Sequence, residues 1–300
     1  MPGSEDLRYA TVGGLDIAFQ TMGEASNPPV LLIAGLGMQL VGFDDGFCDE
    51  LVAQGLFVIR FDNRDVGLST HLVQEPPEAS SLVMDTQLPL YSLADMATDA
   101  VGLLDWLGLR SAHVVGASMG GMIAQIMAIE HPRRVRSLTS LMSTSSGQDW
   151  LAHASEAAMS VLMLPPVSSR DEAMDRAVLF HRAVGSPAYP TEDSDVRERR
   201  RVTELAFARD AEARAGRHRQ LRAVRRAPDR TAALAQLRMP AVVIHGTADR
   251  MCHPSGGRAT AAAIPGARLR LVEGMGHDLP RAAWPLLARE IVENARRAPG

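Results

Sequence analysis

The sequence predicts an α/β fold: a mostly parallel, eight-stranded sheet flanked by helices and interrupted once by an inserted helical segment. Three observations carry that prediction. Short β-rich runs alternate with helix-period stretches through the first half of the chain. Several of those runs are apolar from end to end, as strands covered on both faces must be. From about Gln148 to Arg238 no convincing buried strand occurs, and strand-like runs resume only beyond it.

The elements follow in order. Arg8 to Val12 and Leu15 to Thr21, separated by Gly13-Gly14, predict an antiparallel hairpin. Pro29 to Ala34, Leu56 to Phe61, Ala112 to Gly116 and Val135 to Met142 predict buried strands. A helix starts at Ser92, whose Ser-x-x-Asp pattern is a capping signal. It carries Leu93, Met96, Ala97, Ala100, Val101, Leu104 and Leu107 at helical spacing and closes at Gly108. A second helix, Met119 to Glu130, starts directly from a strand and ends before His131-Pro132. After the helical segment, Ala241 to His245 and Arg268 to Val272 predict the last strands, and Trp284 to Arg297 the last helix. The domain reading is therefore a core of residues 1–147 and 239–300 with a helical cap of residues 148–238.

Composition narrows the function classes. With 300 residues, 46% of them hydrophobic and 22% charged, the chain has ample material for a core, and disorder is excluded. A net charge of −4 gives no reason to expect nucleic acid as a partner. All 31 basic residues are arginines, which removes lysine Schiff-base chemistry and a phosphate-loop lysine. The two cysteines, Cys48 and Cys252, give neither a disulfide framework nor zinc-ligand spacing, so no metal or cofactor is expected. No apolar leader or membrane span is visible, and a cytoplasmic location is expected.

The chemistry concentrates in three places. Val114 to Gly121 runs a buried strand through Gly-x-Ser-x-Gly into a helix, a context that forces the serine onto a strained turn with small neighbours. Ser118 is the candidate nucleophile. Its hydroxyl needs a base, and among nine histidines His277 stands out, directly after the last strand in a glycine-flanked loop. His245 and His253 are rivals because they flank the candidate acid; His113 and His131 have plain structural explanations. The acid should lie past a strand's carboxyl end, where Asp249 follows Ala241 to His245. Asp149 competes from the end of an earlier strand. The order Ser118, Asp249, His277 is that of hydrolases built on an open sheet, not that of chymotrypsin or subtilisin. An oxyanion produced at Ser118 needs preset donors; the N–H of Met119 supplies one, and that of Leu36, in Ala34-Gly35-Leu36-Gly37, the other.

With these residues placed, the chain resembles the α/β-hydrolase superfamily along nearly its whole length. Within it, IAGLG, RFDNRDVGLST, GASMGGMIAQ and GTADR…GMGH are similar to the aclacinomycin methylesterase-like and related bacterial lipase/esterase proteins. The resemblance implies Ser118 as nucleophile, Asp249 as acid, His277 as base, and Leu36 and Met119 as oxyanion donors. Two positions depart from it. Ala34 stands where many relatives have histidine, and Asp65 where glycine is usual in Arg-Gly-x-Gly-x-Ser. The segment around Asp65 reads as a structural loop near the site.

Two features bear on substrate. Met38, Met119, Met122, Met142, Met159, Met163 and Met275 cluster in sequence around the expected pocket, where thioethers adapt to a bulky apolar ligand; ordinary core filling is the plainer account. Between Arg197 and Arg230 stand 12 arginines against 5 acidic residues, a solvated helical face or a recruiter of an acidic substrate or acyl-carrier partner. The expected function is serine-dependent hydrolysis of a carboxylic ester, a small molecule. On the resemblance alone, this is a methyl ester of a polyketide-like product or a lipid ester. A thioesterase acting on acyl-CoA or carrier-bound acyl groups shares the same intermediate, and a non-catalytic ligand receptor on the same scaffold is the alternative of another class.

Overall fold

Alternating burial in the central strands divides the apolar interior into two layers. In the computed structural model, which describes residues 7–72, 90–147, 153–189, 192–210 and 216–299, Leu31 and Ile33 of strand β3 (Pro29–Ile33) join one core cluster. Val30 and Leu32 join the other. This period of two is what a strand covered on both sides requires. Each such fully buried aliphatic side chain contributes about 1.5–3 kcal/mol.

The remaining strands are β1 (Arg8–Val12), β2 (Leu15–Met22), β4 (Phe57–Phe61), β5 (Ala112–Ala117), β6 (Val135–Leu141), β7 (Ala241–Gly246) and β8 (Arg268–Val272). They form one sheet in the order β1-β2-β4-β3-β5-β6-β7-β8, antiparallel only where β2 meets β1 and β4. The eight strands expected from sequence are all present. Gly13 and Gly14 take φ of 55° and 85°, the left-handed pair that a tight hairpin between twisted strands demands. At the opposite edge, Arg268 of β8 reaches Glu290 at 2.6 Å and Glu293 at 3.1 Å, so charge covers the open side of the sheet.

Helix α1 (Asp45–Ala53) lies on one face, and α2 (Leu93–Trp106) and α3 (Met119–Glu130) lie on the other. Ser92 caps α2 in a complete capping box with Asp95, as its sequence predicts. Between β6 and β7 the described residues form five helices: α4 (Glu156–Leu162), α5 (Arg170–Val184), α6 (Asp193–Arg209), α7 (Gly216–Arg225) and α8 (Thr231–Leu234). Two more complete the chain, α9 (Pro254–Ala263) and α10 (Trp284–Arg296), the latter sharing an apolar layer with α1.

The arginine-rich stretch meets the expectation of a solvated face only in part: Arg197, Arg200, Arg201 and Arg226 are exposed, but three others turn inward. Arg209 pairs with buried Asp62 at 2.6 Å, and Arg219 with buried Asp65 at 2.7 Å. Arg230 donates from Nη2 to the Thr144 carbonyl at 2.8 Å and from Nε to Gln125 Oε1 at 3.0 Å. A guanidinium offers five donors, so it can leave a helix and satisfy a buried carboxylate or several carbonyls at once. These three arginines fasten the helical segment to the sheet domain's loops. The Asp62–Ser69 loop is the structural element expected of it. Asp65 has φ of 68°, in the left-handed region that glycine adopts freely and aspartate tolerates.

Candidate active site

The order β4-β3-β5 makes the chain leave β3 to one side and return on the other. A crevice therefore opens between the carboxyl ends of β3 and β5, where open α/β sheets hold ligands. Ser118 follows β5 with φ of 54° and ψ of −120°, one of three described non-glycine residues at positive φ. The strain is imposed from both sides. A β-carbon at Gly116 would collide with the Gly120 carbonyl, and one at Gly120 with the Ile33 carbonyl, so only glycine lets α3 start this close to the sheet. Ser118 thereby stands at the N-terminus of α3, where free N–H groups favour developing negative charge.

His277 Nε2 lies 3.0 Å from Ser118 Oγ, and its Nδ1 lies 2.7 Å from Asp249 Oδ2. Asp249 uses its other oxygen locally: Oδ1 accepts from the N–H groups of Met251 and Cys252 at 2.9 and 2.8 Å. The turn-forming and histidine-orienting readings of Asp249 thus fall on different atoms of one carboxylate. Burial pushes this carboxyl up, but the His277 imidazole and hydrogen bonds from His245 and His277 outweigh burial and hold it well below the usual carboxylate range. Asp149, the competing acid, lies outside the described residues.

The loop after β3 approaches the serine closely, since a β-carbon at Gly35 would lie 3.3 Å from Ser118 Cβ. Leu36 and Met119 both line the resulting cavity. The loop at Ala34 is supported from outside. Asn63 Nδ2 donates to the Ala34 carbonyl at 3.2 Å, and the Gly37 N–H donates to Gln220 Oε1 of α7 at 2.8 Å.

The cavity encloses about 680 Å³ and reaches from Ser118 and His277 to side chains of α4, α5, α6 and α7. Of the methionines singled out in the sequence, Met38, Met119, Met122 and Met142 line it. Met159, Met163 and Met275 do not: Met159 and Met163 share a helical face one turn apart and pack on the core, while Val161 and Leu162 face the cavity. Met275 is fully buried beneath the site. Cys252 also lines the cavity, yet burial and then the neighbouring Asp249 raise its thiol well above its ordinary value, so it is no thiolate nucleophile. Among the described residues no group of three or more His, Cys, Asp or Glu side chains is placed to hold a metal ion.

Around the site, sequence reasoning leaves His245 and Ser186 without an assigned role. His245 is fully buried with Nε2 2.7 Å from the Cys252 carbonyl and 3.3 Å from Asp249 Oδ2. Both neighbours accept, so Nε2 carries the proton and His245 is a second donor beside Asp249, not a base. His113, on β5, is the structural histidine expected, bonded to Ser137 Oγ and pushed down to about 4 by burial and Arg136. Ser186, just past α5, ties the helical segment to the His277 loop: Gly276 N–H donates to its Oγ at 2.8 Å, and its hydroxyl donates to Asp278. The His277 N–H itself donates to the Val184 carbonyl at 2.7 Å. No local pattern signals contacts between residues about 90 positions apart.

The alpha/beta hydrolase fold family matches residues 28–184. The chain is 31% identical to the rhodomycin D methylesterase DauP of Streptomyces sp. strain C5, over 97% of this chain and 98% of that protein. It is 30% identical to the rhodomycin D methylesterase DnrP of Streptomyces peucetius, over 92% and 94%. Among solved structures, a hydrolase from Pseudomonas aeruginosa PA01 superposes with a TM-score of 0.71 at 25% identity, covering 98% of this chain and all of that one. The sheet order, the Ser118 turn and these matches agree, and the chain belongs to the α/β-hydrolase family.

Proposed function

We propose that the protein is a carboxylic ester hydrolase acting through an acyl-enzyme on Ser118. The observation that carries this reading is the unbroken relay from Ser118 Oγ through His277 to Asp249, at 3.0 and 2.7 Å, opening into a largely apolar cavity. Ser118 Oγ attacks the ester carbonyl carbon as its proton passes to His277 Nε2. The carbonyl oxygen becomes an oxyanion facing the N–H groups of Leu36 and Met119, the carbon–oxygen bond to the alcohol breaks, and His277 returns the proton to the departing alkoxide. Water then attacks the acyl-enzyme with His277 again as base, releasing the acid and restoring Ser118. Asp249 stays ionised, fixing the Nδ1–H tautomer and stabilising the imidazolium.

A methyl ester on a bulky polyketide-like acid is the substrate class favoured, supported by the two methylesterase relatives and by a cavity large enough for a multi-ring ligand. Residues 148–238 act as a cap that shields the acyl-enzyme, over a core of residues 1–147 and 239–300. The test is turnover of aromatic polycyclic methyl esters, p-nitrophenyl esters and acyl-CoA thioesters by the wild-type protein. Methyl-ester hydrolysis that disappears after fluorophosphonate treatment is expected. Turnover confined to acyl-CoA substrates would transfer the assignment to a thioesterase, and no turnover of any would leave a ligand receptor.

A further inference from the structure

Arg217, in the first turn of α7, lines the cavity that holds Ser118 and His277. Its stem lies against the oxyanion-side loop, since a β-carbon at Gly37 would be 3.1 Å from both its Cγ and its Cδ. Its Nη2 donates to the Leu162 carbonyl at 2.7 Å, and among the described residues no carboxylate pairs with it. Its neighbours in the same stretch differ: Arg209 has Asp62 and Arg219 has Asp65. The charge that bears on Arg217 is another cation. Arg176 of α5 lines the same cavity, with Nη2 donating to the Pro165 carbonyl at 2.9 Å. Glu172 attracts Arg176 from one turn away, but that carboxylate is already bonded to the Ser168 N–H and hydroxyl.

Burial, helped by Arg176, pulls Arg217 down to about 10, so it still carries its charge at neutral pH. A half-buried guanidinium that no described carboxylate pairs is held at a cost, and an entering anion would supply the counter-charge. Each of the six acids that also line the cavity is engaged elsewhere: Glu198 with Arg201 at 2.6 Å, Asp195 with Arg281 at 3.4 Å, Asp65 with Arg219 at 2.7 Å, Asp44 with the Gly46 N–H, Asp278 with the Ser186 hydroxyl, and Asp210 with the Gly67 N–H at 3.4 Å. We propose that Arg217 and Arg176 form an oxyanion subsite within the active-site cavity, so that the preferred substrates are esters carrying a carboxylate or phosphate away from the scissile carbonyl. This rests on the esterase reading for its catalytic consequence, but binding at the subsite does not.

The experiment compares methyl hydrogen suberate and methyl hydrogen sebacate with their neutral dimethyl esters, and octanoyl-CoA with the octanoyl thioester of N-acetylcysteamine. Wild-type kcat/KM should favour the anionic member of at least one pair, the dicarboxylate pair identifying a carboxylate and the thioester pair a phosphate. Arg217→Met should cut that preference roughly 10- to 100-fold, as loss of a charge-assisted hydrogen bond does, and Arg217→Lys should restore part of it. Arg176→Gln, on a half-exposed side chain, should shift the same ratio in the same direction and serves if Arg217→Met does not fold. Calorimetric titration of Ser118→Ala protein with methyl hydrogen sebacate and with CoA reads the subsite without turnover, and p-nitrophenyl butyrate hydrolysis by wild type tests the esterase reading alone. Absence of any anion preference, or equal losses on charged and neutral esters in Arg217→Met, would overturn the subsite and leave Arg217 as a strut between α7 and Leu162.

Discussion

The two walls of the cavity are built on different principles. The sheet side consists of strand-end turns: Ser118 after β5, Gly35 after β3 and His277 after β8 line it, with Asp249 after β7 bonded behind His277, each within a few residues of the strand that fixes it. The helical side consists of α4 to α7, held to the sheet domain by long-range polar contacts such as Arg209–Asp62, Arg219–Asp65 and Gly37–Gln220. On the first side, the proposed reacting groups are placed by short covalent connections to a stiff sheet. On the second, the lining of the cavity depends on a few buried ion pairs, and changes there alter which molecules fit before they alter the chemistry.

The most severe break lies on the sheet side. Ser118→Ala should lower kcat by roughly 10⁶-fold and abolish covalent fluorophosphonate labelling. The melting temperature should stay close to wild type, because the hydroxyl's partner is His277 and not the core. Labelling that persists on another residue would remove Ser118 from the mechanism.

Asp249→Asn should cost about 10⁴-fold in kcat near neutral pH, while Asp149→Asn costs little. The same substitution has a signature in stability. Asp249's folded pKa lies below its ordinary value, so its ionised form stabilises the fold above the ordinary carboxylate range, and that contribution is lost as pH falls through the folded pKa. The acid limb of a plot of melting temperature against pH should therefore flatten in Asp249→Asn. An unchanged limb would mean that the relay to His277 does not perturb this carboxylate.

How much the sequence discloses follows the same division. Ser118, Asp249 and His277 are legible because each chemical requirement is met within a short window: a strained serine between glycines, an acid just past an apolar strand, a histidine in a glycine-flanked loop. The eight strands are legible because burial on both faces leaves uninterrupted apolar runs. The helical side is opaque. An arginine that meets an aspartate 154 positions away, as Arg219 meets Asp65, carries the same local pattern as one in solvent. Met159 and Met163 are indistinguishable in sequence from Met38 and Met142, because which face of α4 turns inward depends on how the helix packs and not on its composition.

On the helical side, Arg219→Met should destabilise the protein by about 3–5 kcal/mol, since it leaves Asp65 buried without its counter-charge. Asp65→Asn combined with Arg219→Met, which removes the unpaired charge while keeping a side chain that tolerates the φ of 68° and an acceptor for the Leu72 N–H, should recover a large part of that loss. Urea denaturation followed by circular dichroism checks both. An additive double variant would show that the pair does not couple the helical segment to the Asp62–Ser69 loop.

The smallest expected effects separate the methionines that line the cavity from those that only resemble them in sequence. Met38→Ala and Met142→Ala enlarge the space beside Ser118, so the ratio of kcat/KM between bulky and short esters should change by a few-fold to about tenfold, with the activated short ester still turned over. Met159→Ala and Met163→Ala remove half-buried packing on the far face of α4, so each should cost roughly 1–2 kcal/mol of stability, below the range for fully buried sites, and leave that ratio where it was. If Met159→Ala shifts the ratio as strongly as Met38→Ala at equal stability, then α4 rotates its other face into the cavity when substrate binds. The boundary between the two walls would then be set by the ligand rather than by the fold.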